Sequence, residues 1–166
     1  MFLKNLVTGE VSEAVIEPVT NMDFAIIKKS KKSFNKFNWN KLQKQEVFKI
    51  RLKSDENILG LICLIDHTNK AINAIEIDLL EVSSENVGLK KKFDNIAGCL
   101  IAFACKESFK RGHDGYVFLK PKTNLRKHYN LKYGFHHIPV ISEERPEGLM
   151  ILDEDASRRL IQNYLG

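Results

Sequence analysis

The stretch from Leu79 to Ala104, LLEVSSENVGLKKKFDNIAGCLIAFA, decides how this sequence folds. It begins as an apolar strand, continues as a polar loop that contains lysines, and ends in an uninterrupted apolar run, Ile96–Cys105. The run predicts a buried helix over Ile96–Lys110, which Gly112 ends. A strand that leads into a helix N-terminus creates an anion site, because the first N–H groups of a helix have no intrahelical partner and its dipole is positive there.

The residues around the start of this helix suit a phosphate or pyrophosphate group. Lys90–Lys92 place positive charge directly before the helix. Asn95 adopts a positive φ more readily than most residues, and the small Ala97 and Gly98 let a ligand approach the backbone closely. The alternative interpretation is that Asp94 caps a buried helix and that the lysines are simply solvated.

The composition is that of a globular chain, with 166 residues of which 43% are hydrophobic and 28% charged. We expect one domain over residues 1–166. The longest apolar run is much shorter than the roughly 20 residues that a membrane-spanning helix needs, and the N-terminus MFLKNLVTGE lacks the features of a secretory signal. All three cysteines, Cys63, Cys99 and Cys105, lie in apolar stretches and are expected to be reduced core residues of a cytoplasmic protein.

The net charge is +5, which favours anionic partners such as phosphates or nucleic acid. Part of this charge is concentrated in the segment Lys28–Lys32. The competing interpretation of this cluster is a solvated lysine-rich face.

The order of elements predicts a mixed α/β sheet with helices on its faces, because the early strands are joined by hairpins and the late strands by helices. The predicted strands are 11–18, Glu46–Lys53, Asn57–Asp66, Ala71–Val82, Tyr116–Lys120, Phe135–Ser142 and Leu149–Leu152. The predicted helices are Asn21–Phe37, Ile96–Lys110, Asn124–Lys132 and a last one that begins at Asp153–Asp155.

The hexapeptide from Lys92 to Ala97, KFDNIA, followed by the apolar pair Leu100-Ile101, resembles the pyrophosphate loop of the GNAT superfamily of N-acetyltransferases. That loop reads Gln/Arg-x-x-Gly-x-Gly/Ala and is followed by a helix with a Leu-Leu pair. Lys92 stands where the family has Gln or Arg, and Asn95 stands where it has the central Gly. Lysine keeps a cation near the phosphate, and asparagine keeps access to the left-handed backbone conformation.

A second segment downstream is also similar to the family. GNAT proteins carry a strand, an Asn-x-x-Ala-x-x-hydrophobic-Tyr helix and then Gly-Phe. Here Tyr116–Lys120 is followed by Lys122 and Asn124, by a helix that contains Tyr129, and by the pair Gly134-Phe135. Lys122 stands where the family often has Asn, and one extra residue separates Tyr129 from the Gly-Phe pair.

The resemblance implies a GNAT-like fold, with a mostly antiparallel central sheet and helices on both faces. It implies acetyl-CoA as co-substrate, no metal, and acetyl transfer to an amine by direct attack in a ternary complex. Tyr129 would donate a proton to the leaving thiolate. The cofactor-binding residues that it implies are the pantetheine-contacting stretch Glu81, Val82 and Ser83, the pyrophosphate-binding stretch Lys92, Phe93, Asp94, Asn95, Ile96, Ala97 and Gly98, and, after the next strand, Lys122 and Asn124.

Two acids on the strand Ala71–Val82 are candidates for the general base. Alternation places Glu76 and Asp78 on one face of this strand, opposite Ile75 and Ile77. They could deprotonate an ammonium substrate, directly or through water. The alternative is an ordinary solvated strand face.

Other residues give weaker signals. The adjacent pair His136-His137 points to opposite faces of a strand, and no Cys/His spacing resembles a zinc site. His67 and His113 fall in predicted turns, where exposure is the usual explanation. The aromatic stretch that contains Trp39 could line a substrate cleft, stack on bases, or form a hydrophobic lid over the sheet.

The sequence thus supports an acetyl-CoA-dependent N-acetyltransferase, with two alternatives. One is a basic nucleic-acid-binding module without catalysis, and the other is a catalytically inactive regulator that binds acetyl-CoA. A small amine, a peptide N-terminus, a lysine side chain and an aminoacyl-tRNA all remain candidate acceptors. No membrane partner is expected, and the oligomeric state is open between monomer and homodimer.

Overall fold

Most predicted elements are present in the computed structural model of the chain, which describes residues 1–121 and 126–166. Its strands are β1 Phe2–Lys4, β2 Val11–Pro18, β3 Glu46–Leu52, β4 Gly60–Thr68, β5 Asn73–Val82, β6 Val117–Leu119, β7 His136–Ile138 and β8 Leu149–Leu152. Its helices are α1 Asn21–Lys29, α2 Ile96–Lys110, α3 Arg126–Tyr133 and α4 Glu154–Leu165.

The strands form one mixed, mostly antiparallel sheet in the order β1-β2-β3-β4-β5-β6-β8-β7. Neighbouring strands from β1 to β4 pair antiparallel, as do β6 with β8 and β7 with β8. β5 and β6 pair in parallel. Parallel neighbours need a long crossover connection, and the chain between these two strands contains α2. The predicted mixed sheet is confirmed.

The residues group into two compact units, one of residues 1–64 and 79–100 and the other of residues 65–78 and 101–166. In the first unit, α2 lies close against β4 at Gly60, where a Cβ would sit 2.9 Å from Ile96 Cγ2 and 3.0 Å from Leu100 Cδ1. The core cluster of this unit consists of Phe24, Ile27, Phe34, Trp39, Val47, Ile58, Leu61 and Cys63. The expectation of a single domain stays a prediction.

The second unit is fixed by side chains that satisfy backbone groups. Asp153 caps α4 by accepting a hydrogen bond from the N–H of Ala156 at 2.9 Å. The Ser108 hydroxyl donates to the carbonyl of Tyr116 at 2.8 Å, and the Ser157 hydroxyl donates to the carbonyl of Gly115. No helix within the described residues is long and apolar enough to span a membrane.

The first helix is shorter than the sequence predicts. It was expected to reach Phe37, but α1 ends at Lys29, where the Ser30 side chain donates to the carbonyl of Ile26 at 2.9 Å. Serine and asparagine residues follow, and such side chains compete with helical backbone bonds. Phe34 is buried although it lies beyond the helix, so an apolar residue in this stretch does not by itself indicate helix.

Candidate active site

The loop between β5 and α2 is held at both ends by one buried amide. The Asn86 side chain donates to Ser83 Oγ at 2.8 Å and accepts the N–H of Phe93 at 2.9 Å. The N-terminal segment adds a second anchor, because the N–H of Leu6 donates to the carbonyl of Lys92 at 2.7 Å. The predicted pantetheine and pyrophosphate stretches are therefore brought together by direct contacts.

The start of α2 has the backbone geometry that the sequence predicts. Asn95 has φ of +65°, in the left-handed region. The N–H of Cys99 donates to the carbonyl of Asn95 at 2.9 Å and is the first donor of the helical ladder. The N–H groups of Ile96, Ala97 and Gly98 precede that bond and have no intrahelical partner. The left-handed turn thus presents a row of backbone donors beside small side chains.

The three lysines before α2 have different surroundings. The ammonium of Lys91 lies 2.7 Å from Asp94 Oδ1. The ammonium of Lys92 lies 5.7 Å from the ring centroid of Phe93, and Lys90 is exposed. Because one lysine is paired and another lies over a ring, the backbone donors are the more fixed part of the predicted anion site.

The side chain of Glu81 accepts hydrogen bonds from the loop before β3. Only 3% of Glu81 is exposed, and its carboxylate accepts the N–H groups of Asn35 and Lys36 at 3.0 and 3.1 Å. It also accepts the indole N–H of Trp39 at 2.8 Å. The Trp39 ring is buried in the core, so bases cannot stack on it. Of the three interpretations of the aromatic stretch, Trp39 fits the hydrophobic lid over the sheet. A pantetheine contact at Glu81–Ser83 would therefore use the backbone.

Within the described residues, β5 and β6 pair over a short stretch. Their parallel register covers Ile75 against Val117 and Glu76 against Phe118. β6 ends at Leu119, whereas β5 continues to Val82. A strand edge without a neighbour presents backbone groups for a ligand to bind.

The two candidate bases have different environments. Glu76 is buried, its Oε1 lies 2.9 Å from His67 Nε2, and its Oε2 lies 3.9 Å from the Lys120 ammonium. The His67 ring packs on Phe118 at a centroid distance of 5.2 Å. Asp78 is half-buried, and no hydrogen bond or ion pair of its carboxylate is found among residues 1–121 and 126–166. Glu76 thus orients a histidine, whereas the Asp78 carboxylate has fewer interactions with the described residues.

Tyr129 lies on α3 within an aromatic cluster. Its ring centroid is 5.6 Å from that of Phe135 and 6.4 Å from that of Tyr133. Burial raises the pKa of Tyr129 above its usual value near 10. The phenol therefore keeps its proton at neutral pH. The predicted cofactor residues Lys122 and Asn124 lie outside the described residues.

Two histidines that were expected to be exposed in turns are in fact partnered. His67 is in β4, and His113 is only 3% exposed with Nε2 2.6 Å from Asp66 Oδ1. The His113 pair was missed because Asp66 lies 47 positions away in sequence, and the His67 pair because Glu76 lies on the neighbouring strand, nine positions along the chain. Within the described parts of the chain, no group of three or more His, Cys, Asp or Glu side chains could hold a metal ion.

No protein-family model and no curated protein matches the sequence. Solved structures do match the fold. A structure of AtaTR with bound acetyl-CoA has a TM-score of 0.60 at 13% identity, covering 90% of this chain and 98% of that one. AtaT in complex with acetyl-methionyl-tRNAfMet has a TM-score of 0.56 at 13% identity, covering 90% and 99%. Apo FdhC, a nucleotide-linked sugar GNAT, has a TM-score of 0.59 at 13% identity, covering 99% and 97%. These likenesses establish the architecture, and the chain has the GNAT acetyltransferase fold.

Proposed function

We propose that this protein is an acetyl-CoA-dependent N-acetyltransferase. The observation that carries the proposal is the left-handed Asn95 followed by three N–H groups without intrahelical partners and by small side chains. Backbone donors at the N-terminus of a helix suit a pyrophosphate group, which supports this assignment. AtaTR, which shares the fold, has been crystallised with acetyl-CoA.

The residues present fit this co-substrate without depending on one cation. Backbone donors from Ile96 to Gly98 would bind the pyrophosphate, and Lys90 adds exposed positive charge. The backbone of β5 toward Val82, beyond the residues that pair with β6 in the described chain, would bind the pantetheine arm. Acetyl-CoA, when bound, supplies an acetyl thioester, so that a C–N bond forms to the amine as the C–S bond breaks.

An acceptor that arrives as an ammonium ion must lose one proton before its nitrogen can attack. We assign the role of general base, which accepts this proton, to Asp78 or to His67. Glu76 then acts as the positioning residue for the imidazole of His67. His67 Nε2 lies 2.9 Å from Glu76 Oε1. In the tautomer whose Nε2–H donates to that carboxylate, Nδ1 is the ring atom that accepts a proton. A base in hydrogen-bond reach of the amine contributes about 10²–10⁴-fold.

The departing thiolate must gain a proton, and we assign its donation to Tyr129. The raised pKa of this phenol follows from burial, which keeps the proton on the oxygen at neutral pH. The nitrogen loses a second proton as the amide forms, and this proton returns to the phenolate that Tyr129 becomes on donating to the thiolate. The first proton leaves through Asp78 or His67 to solvent, so an ammonium ion and acetyl-CoA give the amide, the CoA thiol and one proton.

Binding is tested before turnover. Acetyl-CoA should raise the melting temperature, with a stabilisation of RT ln(1 + [L]/Kd). Ala97→Leu should abolish most of this shift, because the larger side chain blocks approach to the backbone donors. Lys92→Ala should reduce it only modestly, since that ammonium lies over the Phe93 ring.

A panel of amine acceptors with detection of free CoA thiol then tests catalysis. Turnover with any amine supports the enzyme. A ligand-dependent thermal shift without turnover on small amines, peptides and aminoacyl-tRNA would instead favour the inactive acetyl-CoA-binding regulator. No thermal shift at all would contradict the proposal.

A further inference from the structure

The segment from Phe24 to Gln45 holds the charge excess of the whole chain. It contains seven lysines and no acidic residue, so it carries +7, and the rest of the chain sums to −2 against the total of +5. Clustered like charges repel one another, and a polyanion relieves that repulsion. The lysines are Lys28, Lys29, Lys31, Lys32, Lys36, Lys41 and Lys44.

Carboxylates of the described chain do not neutralise these lysines. Within the described residues none of the seven forms an ion pair, whereas Lys49, Lys53, Lys91 and Lys110 all lie within 4 Å of a carboxylate. The nearby acids are already engaged: Glu81 binds the indole of Trp39, and Glu85 accepts from the Ser33 hydroxyl at 2.6 Å. The segment therefore presents uncompensated positive charge.

Three of the lysines surround a concave surface of about 550 Å³, which we call the lysine cleft. That volume is within the roughly 300–1,000 Å³ typical of ligand sites. Its lining includes Lys28, Lys31 and Lys36, the amides of Asn35 and Asn38, and the half-buried ring of Phe37. None of the residues that line it in the described chain is acidic.

The backbone around the lysine cleft is held in place. Glu81 accepts the N–H groups of Asn35 and Lys36, and the N–H of Ser84 donates to the carbonyl of Ser33 at 3.0 Å. The Ser84 hydroxyl donates to the carbonyl of Lys32 at 2.5 Å. Charges on a fixed backbone lose less entropy on binding than charges on a flexible loop.

We propose that the lysine cleft binds an unpaired RNA strand. The three lysines at the cleft and the four others of the segment together exceed what one diphosphate neutralises, and a phosphodiester backbone supplies a row of anions. Amide groups beside the lysines suit base edges. The Phe37 ring meets Trp39 edge-on at a centroid distance of 6.2 Å and packs partly on the core, and the exposed part of the ring suits stacking by an unpaired base. A duplex presents phosphates but no free base face. That the RNA carries the acceptor amine rests on the proposed function; the binding itself does not.

Fluorescence anisotropy with a labelled 12-nucleotide single-stranded RNA, without acetyl-CoA, tests the binding. The variant K28Q/K31Q/K36Q should bind at least about tenfold more weakly near 0.1 M salt, and the slope of log K against log salt should fall in magnitude by about 2. The control K70Q/K106Q/K110Q removes the same charge outside the segment and should change affinity less than about threefold. An equal loss of RNA affinity in both variants would mean an effect of net charge and would contradict RNA binding at the lysine cleft.

Phe37→Leu separates stacking from charge. It should weaken RNA binding about fivefold or more and leave the salt slope unchanged, because a base on a ring releases no counterions. A duplex RNA of the same sequence should bind more weakly than the single strand. If millimolar UDP displaces the RNA competitively, with one UDP per protein, the lysine cleft binds a nucleotide and the RNA proposal is wrong. RNA binding without acetylation of any acceptor would sink the proposed function and leave this inference standing.

Discussion

Glu81 illustrates what a single buried carboxylate does in this chain. It brings three donors from the loop before β3 to the end of β5, and they offset the cost of its burial. Glu81→Gln turns one acceptor oxygen into a donor that faces N–H groups. We expect the free energy of unfolding to fall by about 2–4 kcal/mol, measured by urea denaturation. The exposed Glu85→Gln should cost less than about 1 kcal/mol, and a matching loss there would contradict the assigned role of Glu81.

Tyr129 is the residue on which the catalytic proposal is most easily tested. Tyr129→Phe removes only the hydroxyl, so kcat should fall at least about tenfold while the Kd for acetyl-CoA stays nearly unchanged. Because burial raises the pKa of the phenol above 10, its deprotonation should not limit kcat below about pH 10. Full turnover of the variant would make Tyr129 a packing residue of the aromatic cluster.

At the residue scale, local chemistry was predictable and distant pairing was not. The sequence indicated that Asn95 tolerates a positive φ, and Asn95 adopts one in the structure. The partners of Glu81 lie 42 to 46 positions away, and those of His113 lie 47 away. A single sequence carries no signal for contacts at that separation.

Helix α2 is the element that the sequence predicted most completely. Its bounds, Ile96–Lys110, are those predicted, because the apolar run marks the start of a buried helix and Gly112 follows its end. The three-residue β1 was missed, since it exists through pairing with β2 at Glu13, Ser12 and Val11. The predicted strand Phe135–Ser142 is shorter in the structure, where β7 covers His136–Ile138.

Burial of α2 predicts inert thiols. Burial raises the pKa of Cys99 to about 11 and that of Cys105 to about 12, and Cys63 is also buried. Because the thiolate is the reactive form, a thiol reagent at about pH 8 should label the native protein far more slowly than the denatured protein. The matched control is Val7→Cys, at a position that is 79% exposed, which should add one fast-reacting thiol. Fast labelling of Cys99 in the native protein would show that α2 is not packed as described.

For the molecule as a whole, the element order was enough to predict the mixed sheet, but not where β8 inserts between β6 and β7. That order depends on long-range pairing after a turn. Stability at the same scale depends on buried charge in each unit. In the first unit the Lys49 ammonium lies 2.8 Å from Asp23 and 3.4 Å from Glu17. In the second, Asp66 lies between His113 and Arg111.

These carboxylates predict loss of stability in acid. Burial acts to raise the pKa of Asp23, but hydrogen bonds from Lys49 and Thr20 outweigh it, and the pKa lies below its usual 3.8. Hydrogen bonding from Arg51 lowers the pKa of Glu17 below 4.5. Each group with a lowered folded pKa stabilises the protein above its unfolded pKa, and that contribution is lost as the pH falls through the folded value. The free energy of unfolding should therefore drop steeply below about pH 4.5.

Lys49→Met isolates the part of this effect that belongs to the buried pair. At pH 7 the variant leaves Asp23 charged and buried with only the Thr20 cap, so we expect a loss of about 3–5 kcal/mol. As the pH falls toward 3, Asp23 takes up a proton in the variant before it does so in the wild type, and the difference between the two proteins should shrink. Lys53→Met breaks the exposed pair with Glu13 and should cost less than about 1 kcal/mol at either pH. Urea denaturation of all three proteins at both pH values measures these differences, and a pH-independent gap for Lys49→Met would mean that lost packing rather than lost charge causes it.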